Sequence, residues 1–158
     1  MQKLFGAFLL AVLLVPGPVR AQGDCAPDRL DIRSGGSSVR FSVEVVDTPQ
    51  GRAVGLMNRP SMDKFAGMLF VYPDARPVSF WMRNTLIPLD MLFIGVDGVV
   101  DRVHENAVPL DETPIFGGEE IRYVVEINGG MAGTLGIGAG AEVRHPAISG
   151  PDVVWSCD

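Results

Sequence analysis

Two cysteines, two histidines and an aromatic share of 8% leave these 158 residues short of the usual catalytic groups. Without a Cys-x-x-Cys spacing, thiol redox chemistry has no adjacent pair to run on. No Gly-x-Ser-x-Gly turn marks a hydrolase nucleophile, and His104 and His145 have no such partner nearby in sequence. Basic charge is scarce as well, with 13 Lys plus Arg against 19 acids. Nucleic acid and anionic membranes are therefore poor partners, because both are bound through clustered positive charge. The one long apolar run, Leu4 to Val15, ends at Pro16-Gly17-Pro18 and falls short of the ~20 residues that cross a bilayer.

What that run does fit is a leader. Lys3 supplies the positive start, and Val19-Arg20-Ala21 gives a small-residue cleavage pattern before Gln22, so residues 1–21 read as a cleavable signal peptide. Asp24 denies Cys25 the small-residue context of a lipoprotein site. The mature chain of 137 residues is long enough for one domain, carries a net charge of −8 and contains no transmembrane segment. Its expected location is periplasmic or extracellular. Cys25 and Cys157, at its two ends, are expected to form a disulfide in that oxidising compartment.

Residues 22–37, ending in "SGGSS", are expected to be a flexible lead-in, and residues 38–158 a single β domain. "VRFSVEVVD" alternates as a half-buried strand does. In "DTPQGRAVGLMNRP", Thr48 can cap and Pro49 can open a short helix that Pro60 ends. "GMLFVY", "VSFWM" and "LDMLFIGV" read as three strands, and Asp97-Gly98 as a type I′ hairpin turn. "HENAVPLDETPIFGGEE" reads as an acidic loop, "IRYVVEIN" as a strand, "GGMAGTLG" as a helical turn and "AEVRHPAI" as a last strand. The expected fold is mainly β: a compact antiparallel sandwich or partly open barrel with one or two short helices.

Several motifs carry a resemblance. Arg52-Ala53-Val54-Gly55-Leu56-Met57, Gly67-Met68-Leu69-Phe70, Phe80-Trp81-Met82-Arg83-Asn84-Thr85, Pro88-Leu89-Asp90 and the later "YVVEINGG", with its Glu-x-x-x-Gly, follow one another. In order and spacing they resemble the domain of unknown function 192 family over roughly residues 40 to 145. The resemblance implies a small, mainly β, frequently exported domain and no established activity.

The polar residues inside these motifs are the candidate site. A carboxylate brought inward at Asp90 needs a cation or several donors, and Arg52, Arg59 and Arg83 are the cations on offer. Asn84 and Thr85 suit a turn, where their side chains satisfy loop backbone. One reading makes the whole constellation structural. Another takes Trp81 and Arg83 to share the outward face of a strand, so that Arg52, Trp81, Arg83, Asn84 and Asp90 form a binding pocket for a small molecule, glycan or other envelope component. A hydrolase using Asp90 with neighbouring acids such as Asp101 or Glu105 is the enzymatic alternative, but no catalytic residue, cofactor or metal is assigned. His145 is expected at the surface. Of the methionines, exposed Met62, together with Met57, is the only start of a soft metal site.

Overall fold

The structure, a computed structural model, describes residues 25–157; the expected signal peptide and residues 22–24 lie outside the described residues. Regular structure begins earlier than the lead-in reading implies. Strand β1 (Arg29–Ser34) buries Leu30 and Ile32 completely, while Arg29, Asp31 and Arg33 alternate with them. Gly35 and Gly36, both at positive φ, turn the chain directly into β2 (Ser37–Val46). What resembles linker composition is thus a hairpin turn, where left-handed backbone favours glycine.

Helix α1 (Pro49–Val54) starts as its sequence indicates, with the Thr48 hydroxyl accepting from the Gly51 N–H at 3.1 Å. It ends sooner, at Gly55 with φ 50°, and buries no side chain of its own; Leu56, just beyond, is the anchor. "GMLFVY" and the first three residues of "VSFWM" belong to one long strand, β3 (Ala66–Phe80), whose pairing shifts register around Pro73 and Pro77 because neither proline has an N–H to give the ladder. Trp81 and Met82 lie beyond its end and Arg83 in the turn that follows, so Trp81 and Arg83 do not share a strand face as expected. Then come β4 (Leu89–Ile94), β5 (Val100–Ala107), β6 (Ile115–Asn128), α2 (Met131–Leu135) and β7 (Glu142–Arg144). Most of the expected acidic loop is strand, with only residues 108–114 left between β5 and β6.

The seven strands form one sheet in the order β5-β4-β6-β3-β2-β1-β7, curled into a half-barrel rather than stacked as a sandwich. At one end the outer strands meet: the Val100 N–H donates to Ala141 O and the Val143 N–H to Gly98 O, both at 2.8 Å. One pairing departs from the antiparallel expectation, since β2 and β3 run parallel and α1 lies in the crossover between them. The β4–β5 hairpin forms, but only Gly98 of the Asp97-Gly98 pair has positive φ, and the Gly98 N–H reaches back to Gly95 O. That is a type I turn followed by a left-handed glycine, not a type I′ turn.

Both faces of the central strands are covered. Leu69, Leu92 and Val125 face an inner core closed by α2, while Met68, Phe70, Met91, Phe93 and Val124 face a second cluster with Leu56 and Met82. All six residues of β4 are buried for this reason. His145 is buried too, contrary to its surface reading: Nε2 lies 3.0 Å from Pro27 O, and Nδ1 accepts from the Ala147 N–H at 3.0 Å. Burial pulls its pKa down from the usual value, against the opposing hydrogen bond to the Pro27 carbonyl.

The β3–β6 contact is close at Gly67, where an added Cβ would lie 2.6 Å from the Glu126 carbonyl oxygen. Gly67→Ala must push two central strands apart, and it is expected to cost about 2 kcal/mol in urea denaturation. A change under a few tenths would show that the contact is looser than described.

Candidate functional site

Met82 turns into the second core cluster and is fully buried, which sends its neighbours Trp81 and Arg83 outward. Trp81 keeps 46% of its surface exposed and borders a cleft of about 220 Å³ between the α1 segment and β3. Arg52, Leu56, Tyr72, Phe80, Trp81 and Glu126 line it. Arg52 comes from α1; its Nη1 donates to Val71 O at 2.8 Å and to Asp47 O, and its guanidinium stacks 4.7 Å from the centre of the Tyr72 ring. One edge of the guanidinium is thereby pinned to the fold, while Nε and Nη2 carry no hydrogen bond among the described residues.

Of the five candidate residues, the structure brings Arg52 and Trp81 to the cleft. Arg83 stands outside it, paired with Glu112 at 2.8 Å and stacked 4.5 Å from the Trp81 ring, so it braces the indole from the solvent side. Asn84 takes a left-handed φ of 54°, a conformation asparagine tolerates, and its carbonyl accepts from the Asn58 N–H at 2.8 Å. That bond ties the loop after α1 to the turn after β3, joining the two walls of the cleft. Asp90 is fully buried on the opposite side of the sheet and pairs with none of the three arginines. Its Oδ1 accepts from the N–H groups of Asn106 at 2.8 Å and Gly130 at 2.9 Å, and its Oδ2 from that of Ala132 at 2.7 Å. Such a carboxylate holds the start of α2 against β4 and β5, with no free face for a ligand.

Glu126 is the lining residue that the sequence did not single out. It sits mid-strand on β6, flanked across the sheet by Met68 on β3 and Met91 on β4, and only 5% of it is exposed. No hydrogen bond reaches its carboxyl among the described residues. Burial alone pushes its pKa from the ordinary 4.5 up to about 8, so the group is neutral at pH 7. A signal was present: Glu126 is the single acid in the apolar run "YVVEI", and it also heads the Glu-x-x-x-Gly motif.

A buried, uncompensated carboxyl has a thermodynamic signature. Below pH 4.5 it is neutral in both folded and unfolded chains. As pH rises, the unfolded group ionises first, so stability falls by about 1.4 kcal/mol per pH unit until the folded group ionises near 8. Glu126→Gln removes that loss, and is expected to gain on the order of 3 kcal/mol at pH 7 while changing little at pH 4. Urea denaturation at both values checks this; an equal effect at the two pH values would mean that Glu126 ionises normally.

A second, wider groove of about 550 Å³ runs past Met82, His104, Glu105 and Phe116 near β5. It has no buried group lacking a partner. Among the described residues, no cluster of three or more His, Cys, Asp or Glu is placed to hold a metal. Met68, Met82 and Met91 are core fillers, and Met62 packs against the second cluster.

Residues 30–145 match the domain of unknown function 192 family, DUF192, whose members are described as uncharacterized ACR. Two crystal structures are similar. One, from Sinorhizobium meliloti 1021 and described as a candidate transcription regulator, is 41% identical with a TM-score of 0.72, covering 75% of this chain and 93% of its own. The other, a protein of unknown function from Novosphingobium aromaticivorans DSM 12444, is 36% identical with a TM-score of 0.73, covering 81% of this chain and 99% of its own. No curated protein matches this sequence significantly.

Proposed function

The chain belongs to the domain of unknown function 192 family, and we propose that it is a non-enzymatic binding protein of the cell envelope that takes a small ligand or short glycan in the Trp81 cleft. The observation that carries this reading is the juxtaposition of a half-exposed indole, a pinned guanidinium and a buried carboxyl without a partner around one opening. An exposed aromatic face stacks on the apolar side of a sugar ring, and a few fixed polar groups set its orientation. A volume of 220 Å³ suits one ring rather than a long chain.

Export to the periplasm or beyond is part of this proposal. The Cys25–Cys157 disulfide is compatible with it, and no helix of the described residues is long and apolar enough to cross a membrane. A nucleic-acid role, suggested by the description of the Sinorhizobium relative, would need a basic face that a net charge of −6 does not favour. Hydrolysis by Asp90 would need a carboxylate open to substrate, whereas both of its oxygens are occupied.

Simple sugars and sugar acids added at millimolar concentration are expected to raise the melting temperature by a few degrees. Because Trp81 is half exposed, Trp81→Ala should leave the ligand-free melting temperature nearly unchanged and abolish that shift. A shift that survives the substitution would move the binding site elsewhere.

A further inference from the structure

We infer that the cleft selects a ligand bearing a single carboxylate on a sugar-sized ring, an acidic monosaccharide, with the carboxylate held between Arg52 and Glu126, which both line the opening. This inference rests on the binding reading above and names the ligand class. The polar inventory is lopsided: Arg52 can offer N–H donors from Nε and Nη2, and Glu126, when neutral, offers one O–H. Ser79 and Thr85 also border the opening, and the Thr85 hydroxyl already donates to Arg83 O at 3.3 Å. No ionised acceptor faces inward at neutral pH. A site of donors with one full positive charge complements a monoanion, and a carboxylate pairs with both a guanidinium edge and a carboxylic O–H. A doubly charged phosphate would call for more cations than the single arginine provides.

The groups around Glu126 allow its protonation to control the site. From α1 comes Arg52, and from β3 come Tyr72 and Met68, with Arg76 lying over the outer Tyr72 ring. From β4 comes Met91, which carries no charge, and His104 on β5 lies one strand further away, outside the cleft lining. Burial lifts the Tyr72 phenol above its usual 10, so it stays neutral wherever Glu126 titrates. Raising the pH through about 8 therefore changes one group of the cleft, replacing the Glu126 donor with a carboxylate that repels the ligand's own.

Isothermal calorimetry with D-glucuronate and D-glucose at pH 6.5 and 9.5 tests this. Glucuronate is ionised at both values, given an ordinary carboxyl pKa near 3 to 4. With Glu126 titrating near 8, roughly 3% of the protein is competent at pH 9.5, so affinity for glucuronate should fall about 30-fold between the two. Glu126→Gln keeps a hydrogen-bond donor and is expected to bind glucuronate equally well at both pH values. Glucose should bind more weakly than glucuronate at pH 6.5. A pH-independent wild type, or an unchanged pH dependence in Glu126→Gln, would overturn the inference. Equal binding of both sugars, lost in Trp81→Ala, would overturn acid recognition while leaving the cleft as a binding site. Failure of both sugars to bind would overturn the two together.

Discussion

Asp90→Ala is expected to cost about 4 to 6 kcal/mol and to lower the melting temperature by roughly 10 °C or more. The carboxylate is fully buried and is the acceptor for three backbone N–H groups, at Asn106, Gly130 and Ala132. Each of these donors, left without a partner, costs roughly 1 to 3 kcal/mol, and the bonds are charge-assisted. The loss is concentrated where α2 docks on the sheet, so amide exchange in Met131–Leu135 should accelerate before the rest of the fold opens. Asp90→Asn keeps one oxygen and sets an amide N–H₂ against a backbone donor, and about half the effect is expected. Denaturation in urea measures both. A cost under 1 kcal/mol for the alanine variant would mean that α2 is held by its apolar contacts alone.

Opening the Cys25–Cys157 disulfide is the second large effect. The bond closes a separation of 132 residues, and on the chain-entropy account that constraint on the unfolded chain is worth about 5 kcal/mol. The folded tail has further contacts: Trp155 lies between Arg33 and Arg144, whose guanidinium carbons are 4.5 Å and 4.6 Å from its ring. The double variant Cys25→Ser, Cys157→Ser should therefore lose most of that 5 kcal/mol in urea, with the native sheet retained and Trp155 fluorescence altered. Stability within 1 kcal/mol of the parent would show that the ends are held without the bond.

These sites differ in how far the sequence discloses them. Helix α1 was legible because Thr48 and Pro49 act on their immediate neighbours, whereas the direction of Trp81 was not, since strand alternation left either Trp81 and Arg83 or Phe80 and Met82 as the outward pair and the strand stops at Phe80. The β4–β5 hairpin could be placed from Asp97-Gly98, although its turn type depended on backbone twist that no residue specifies alone. Strand β1 was obscured because Gly35 and Gly36 have the composition of a linker while acting as a turn. Asp90 shows a different limit. Its partners lie 16 to 42 residues away and are backbone groups, which carry no side-chain signature.

Glu126 was hidden by a reasonable rule. A polar residue in a strand usually points to water, and β6 would obey if one of its faces were open. Both faces are covered because β6 sits between β4 and β3 in the middle of the sheet, with Leu56 and its neighbours over the second face. Long-range topology thus turned an apparently solvated acid into the buried group beneath the cleft.

Ligand selection by the cleft depends on that acid being neutral. A carbon-13 NMR titration of the Glu126 side-chain carboxyl, assigned by its absence in Glu126→Gln, measures this directly in the ligand-free protein. A midpoint near pH 8 is the predicted result. A midpoint in the ordinary range near 4.5 would contradict it, and would leave the cleft without the proton donor on which its choice of ligand depends.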